Sequence, residues 1–208
     1  MFSFDAAEML IRIPALLMAL TVHEYAHARM AYALGDNTAK LMGRLTLNPI
    51  PHLDPIGLIM LWWCKFGWAK PVPINPNNFS NYRQGTLLVA LAGPGSNILL
   101  AICSFFAMQI LFKIGLLTQG LQLFLSMFYI YNIFLAIFNM IPIPPLDGSK
   151  VLVSLLPSLE GEVYYNLERY GAFIIMGLAF TGVIGQILFP MERMITSALS
   201  VIVGFVMY

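Results

Sequence analysis

The sequence predicts an all-α integral membrane protein, a polytopic bundle of about four to six membrane helices. Three observations carry that prediction. Of 208 residues, 59% are hydrophobic and only 10% charged, where soluble domains run at roughly 45–50% and about 25%. Mean hydropathy is +0.79. Several apolar runs also reach the roughly 20 residues that a helix needs to cross hydrocarbon. Eleven basic residues against ten acidic leave a net charge of +1, so the chain has no field to hold nucleic acid, and that function class is excluded. Cys64 and Cys103 form neither a metal-ligand pair nor a disulfide framework and read as packing residues. The whole of 1–208 is expected to form one membrane-embedded domain.

The first expected span is Met9 to Leu34, despite Arg12, His23, Glu24, His27 and Arg29 within it. Thr86 to Phe112 is the second. Leu121 to Ile141 is the third, stopped by Pro142-Ile143-Pro144-Pro145, which cannot continue a helix. Gly171 to Phe189 is the fourth, and the 15 residues from Met194 to Tyr208 span or lie at the interface. Asp5 and Glu8 precede the first run, unlike the basic start of a secretory signal, so the N-terminus is expected to stay. Lys40, Arg44, Lys65, Lys70 and Arg83 outnumber Asp36 and Asp54 in the first long connection. That bias places the connection in the cytoplasm and the N-terminus outside, so the C-terminal ends of spans one and three are both expected to face the cytoplasm.

The connection Gly35–Gly85 is expected to be a re-entrant, strand-containing region. Ile56 to Trp68 is apolar but only 13 residues long, too short to span, and Trp62, Trp63 and Trp68 suit the headgroup level. Arg44-Leu45-Thr46-Leu47 and Lys70-Pro71-Val72-Pro73-Ile74 alternate with the period of strands, which predicts a short β-hairpin. Pro71 and Pro73 share one parity, so the amides of Val72 and Ile74 would face the other edge and could pair with an extended substrate.

The most informative residues are His23-Glu24-Tyr25-Ala26-His27. On a helix, side chains four apart lie on one face about 5–6 Å from each other, so two imidazoles can share one tetrahedral zinc ion. Glu24, next to the first histidine, can act as a general base toward a water that zinc acidifies. Three ionisable groups inside an apolar span each cost a few kcal/mol unless something compensates them, which favours a metal site over a chance string.

A catalytic zinc site needs a third protein ligand. Met30 and Ala33 stand where an extended HExxHxxGxxH pattern needs glycine and histidine, and no glutamate occurs between Glu24 and Glu160. Asp36, His52, Asp54 and Asp147 remain. Asp36 is nine residues past His27, about 13 Å along a continued helix. Asp147 follows the third span on the side where the first one ends and is the preferred ligand, with His52 and Asp54 in reserve.

The HEYAH string in one span and Asn139-Met140-Ile141-Pro142-Ile143-Pro144-Pro145-Leu146-Asp147-Gly148 after a later one resemble the site-2 protease family of intramembrane zinc metalloproteases. Leu45-Thr46-Leu47-Asn48-Pro49 leading to His52, Asp54 and Gly57, and Gly93-Pro94-Gly95-Ser96-Asn97, extend the similarity over most of residues 20–155. The resemblance implies one zinc ion per chain held by His23, His27 and Asp147, with Glu24 as catalytic acid/base. It also implies Asn139 as a substrate-binding or oxyanion residue and Asn97, a polar position facing the catalytic core, as a further candidate for that role. The chain looks like a minimal form of the family, without a PDZ or CBS module.

Asn132 and Asn139, seven apart, share a helix face; Asn132 reads equally as interhelical glue, and Asn139 as functional. Gly93, Asn97 and Ala101, like Gly177, Thr181 and Gly185, form small-residue stripes that read as packing. The expected activity is hydrolysis of peptide bonds within or near transmembrane segments of a membrane-protein substrate, at a site near the cytoplasmic face of what is expected to be the cell membrane. The lipid bilayer is the expected surrounding, with room for a homo-oligomer or a regulatory membrane partner. The alternative is a metal-ion transporter or channel using His23, His27 and Asp147.

Overall fold

The structure, a computed structural model, describes residues 6–57 and 69–207. Six helices carry the architecture: α1 Ala6–Ala33, α2 Tyr82–Lys113, α3 Gln119–Asn139, α4 Asp147–Leu155, α5 Glu162–Phe180 and α6 Val183–Met207. Among the described residues three stretches are long and apolar enough to cross a membrane: Tyr82–Lys113, Gln119–Asn139 and Val183–Gly204. The chain is an integral membrane protein. α2 begins at Asn81, whose side chain caps Gln84 N, and α3 at Thr118, which caps Leu121 N; each side-chain oxygen satisfies an amide that the first turn leaves without a partner.

α1, α2 and α3 form the tight unit of the bundle. At one end Ala15 and Ala19 of α1 pack with Phe128 of α3. At the other, Ala28 and Ala31 meet Val72, Phe79 and Val89. The small residues of α1 let its neighbours approach closely, the packing that replaces hydrophobic drive in lipid. The stripe Gly93, Asn97 and Ala101 is buried on α2, as packing requires. α6 runs antiparallel to α3, since Phe189 meets Phe134 at 5.6 Å and Thr196 meets Tyr129 at 2.6 Å.

The structure departs from the sequence expectations at three places. The expected span 171–189 is not one helix: the chain turns at Thr181-Gly182, where Gly182 takes φ +77°, a left-handed conformation that favours glycine. α5 stays at one end of the bundle, with its first turns on the site cavity and Ile175 against Leu146. The residues from Met194 to Met207 belong to α6, which starts at Val183 and passes through Pro190. That turn also breaks the stripe Gly177, Thr181 and Gly185.

The β-hairpin is the second difference. Among the described residues there is no strand, only an isolated antiparallel bridge between Leu53 and Ala69. The two segments do meet, through a side chain: Arg44 Nη2 donates to Lys70 O at 2.7 Å and Pro71 O at 3.3 Å. Pro71 and Pro73 have no N–H to give a ladder. The re-entrant segment, with Trp62, Trp63, Trp68 and Cys64, lies outside the described residues from Leu58 to Trp68. Third, Cys103 is exposed on α2 rather than packed.

Candidate metal centre

His23 and His27 lie one turn apart on α1, and both rings are buried, at 4% and 6% exposure. Their outer nitrogens are fixed by acceptors. His27 Nδ1 lies 2.7 Å from Val89 O, and a carbonyl only accepts, so Nδ1 carries the proton. His23 Nδ1 lies 2.6 Å from Asn97 Oδ1. That amide's nitrogen donates to Ala19 O at 3.2 Å and Asn132 Oδ1 at 2.8 Å, which assigns its oxygen to His23. Both imidazoles are thereby left with the Nε2 lone pair facing inward.

Those lone pairs converge on Asp147. Its Oδ2 is 3.3 Å from His23 Nε2 and 3.1 Å from His27 Nε2, and the two nitrogens are 3.0 Å apart. Asp147 heads α4, after the turn that ends α3. Asp147 Oδ2 is buried without a hydrogen-bond partner. Three electron-pair donors packed this closely repel one another unless a cation lies among them, and two imidazoles with one carboxylate suit zinc. Gly93 completes the cradle, because a side-chain carbon there would overlap His27 Nε2 and His23 Cε1. The residues present fit the ion.

Glu24, buried at 9% exposure, accepts a hydrogen bond from the backbone N–H of Val72 at 2.8 Å. The expected outward edge at Val72 is thus turned inward, its donor committed to Glu24. Ile74 packs its side chain against α1 within the same segment. Asp36, set aside as a ligand, anchors this segment. Its Oδ2 accepts from Asn75 N at 2.8 Å, and its Oδ1 accepts from Asn78 Nδ2 at 2.7 Å, Thr38 N at 3.1 Å and Thr38 Oγ1 at 2.5 Å. Burial pushes the Asp36 carboxyl up, but these hydrogen bonds outweigh it and hold it below its ordinary value.

A cavity of about 760 Å³ opens on His23, Glu24, His27 and Asp147. Asn139 lines it too, while its Nδ2 donates to Leu135 O at 2.9 Å. Asn97 is fully buried and held by His23, Ala19 and Asn132, so it cannot touch a substrate; it positions His23. Asn132 is the glue that holds Asn97. His52 and Asp54 are not brought to the cluster: His52 Nε2 pairs with Thr46 O at 2.9 Å, and Asp54 Oδ1 receives Ile56 N and Gly57 N.

The model of peptidase family M50 matches residues 109–182, which include the segment bearing Asp147 but not the HEYAH string. "Putative zinc metalloprotease YwhC" of Bacillus subtilis is 40% identical over 181 residues, covering 85% of this chain and 83% of that protein. The chain belongs to peptidase family M50. Further relatives are "Putative zinc metalloprotease Rip2" of Mycolicibacterium smegmatis, 27% identical over 84% of this chain and 68% of its own length, and its namesake in Mycobacterium tuberculosis, 31% identical over 78% and 62%. No solved structure matches. As an M50 member the chain is a metalloprotease.

Proposed function

We propose that this M50 metalloprotease is a zinc endopeptidase that hydrolyses peptide bonds within or near transmembrane segments of membrane-protein substrates. The single observation that carries the reading is the convergence of His23, His27 and Asp147 beside Glu24, at the wall of a cavity among membrane helices. The names of the relatives support zinc as the ion. We further propose α1, which packs along α2 and α3, as a fourth crossing helix. The basic residues of the first connection favour the site end facing the cytoplasm.

In this reading His23, His27 and Asp147 hold the ion. When bound, zinc supplies Lewis acidity that activates water and polarises a carbonyl. Glu24 takes a proton from the attacking water and passes it to the leaving amine. Val72 N–H holds Glu24 Oε2, which orients the carboxylate. Asn139, which lines the cavity, donates an amide N–H to the carbonyl oxygen as its charge grows. The cavity is lined further out by Arg83, Lys150, Glu160 and Glu168, which suits a polar, unwound stretch of substrate at the membrane edge.

A transporter needs a polar route to the far side. Beyond His23 the bundle instead closes with Asn97 and Asn132, both at 0% exposure, and then with Ala15, Ala19 and Phe128. The deciding experiment is Glu24→Gln in reconstituted vesicles with a single-span substrate. Retained zinc with lost cleavage is the expected outcome; cleavage at the wild-type rate sinks the assignment.

A further inference from the structure

α6 carries a charge that the bundle does not account for. Arg193 is exposed and stands at the middle of the apolar stretch Val183–Gly204, ten residues or about 15 Å from Val183. That depth is beyond the helix ends, where long basic side chains reach the interface. Among the described residues Arg193 has no hydrogen bond or ion pair. Glu192 does not serve, because neighbouring positions on a helix do not face each other. Its Oε1 accepts from Thr196 Oγ1 at 2.7 Å, and Thr196 in turn meets Tyr129 on α3.

The face around Arg193 is unusual for one turned to lipid. Ile184, Leu188, Ile195, Leu199 and Val203 form the inward stripe. The opposite stripe is Gln186, Arg193, Ser197, Ser200 and Gly204, all exposed, with open space beside Gly204. Its spacing of seven, four, three and four is that of a helix–helix seam, and its small residues permit close approach. A guanidinium in hydrocarbon calls for a carboxylate. A second copy on this face would bring Arg193 against its own counterpart in a parallel pair, with Glu192 turned away. None of these residues lines the cavity.

We propose that this face of α6 docks a transmembrane helix of another membrane protein that carries an acidic residue at mid-membrane depth. The proposal requires α6 to cross the bilayer and does not depend on the zinc chemistry.

The test uses the full chain in phosphatidylcholine vesicles and labelled single-span leucine-rich peptides with Glu or Leu at the centre, with association read by energy transfer. The Glu peptide is expected to bind at least about tenfold more tightly, a difference near 1.4 kcal/mol. Arg193→Leu should abolish the difference, and Arg193→Glu should transfer the preference to a Lys-centred peptide. Equal binding of the Glu and Leu peptides by the wild type, or a preference that survives Arg193→Leu, overturns the proposal. So does a dimer of the chain that Ser200→Leu disrupts, which would give the face to a second copy. Zinc content of Arg193→Leu equal to wild type separates this result from any failure of the metal site.

Discussion

The backbone N–H of Val72 lies 2.8 Å from Glu24 Oε2, joining residues 48 apart in sequence. Hydrogen bonds to charged groups contribute about 1.5–3 kcal/mol. Val72→Pro removes the donor within a stretch already flanked by Pro71 and Pro73. It should lower kcat by about 10- to 100-fold, with KM and zinc content near wild type. Steady-state kinetics with parallel metal analysis decides: a kcat within twofold of wild type would remove Val72 from the mechanism.

Gly93 leaves no space for a side chain beside the two imidazoles, whereas Gly95, two residues on, faces open space. Gly93→Ala should therefore weaken zinc binding by tenfold or more on the scale of a displaced ligand shell. Gly95→Ala should leave it unchanged. Zinc titration of both variants against a competing chelator makes the comparison, and equal affinities would show that the cradle yields easily.

Asn97 is the acceptor for His23 Nδ1–H in a sealed environment. Asn97→Ala leaves that donor without a partner, which costs about 1–3 kcal/mol of stability. It should also lower zinc affinity by about 10- to 100-fold, the usual effect of losing a residue that orients a ligand. Asn132→Ala should cause a smaller loss, because it acts on His23 only through Asn97.

Asp36 titrates below its ordinary value because folding gives its carboxylate four hydrogen-bond donors. A depressed folded pKa means stability that is present above the unfolded value, about 3.9, and is lost as pH falls through the folded one. Thermal melts of wild type should decline below about pH 4, and Asp36→Asn should be less stable at neutral pH with a shallower acid decline. An identical acid limb in the two proteins would remove Asp36 from that effect.

The site was legible where its logic is local. The HEYAH spacing puts two imidazoles on one helix face whatever surrounds it, and the proline run before Asp147 marks where α3 must stop. Asp36 lies far along a continued helix from the histidines, and in the structure it anchors the segment through Asn75 and Asn78, a role that no local pattern announces. Alternation alone predicts the hairpin, but its segments meet through Arg44 and the Val72 amide points at Glu24. The division between α5 and α6 is invisible to hydropathy because apolar residues continue on both sides of Thr181-Gly182, and hydropathy does not register a left-handed glycine.

The sequence by itself determined the membrane setting, the paired histidines with their neighbouring glutamate, and a short set of acids that could join them. These depend on composition and on the 3.6-residue period, which a few adjacent residues specify. Only the tertiary structure decided that Asp147 reaches both rings, that Asn97 and Val89 fix their tautomers, and that Arg193 faces outward, unpaired among the described residues. Each of those depends on packing between helices distant in sequence, where hydrogen-bond partners and buried faces are chosen by the assembled bundle.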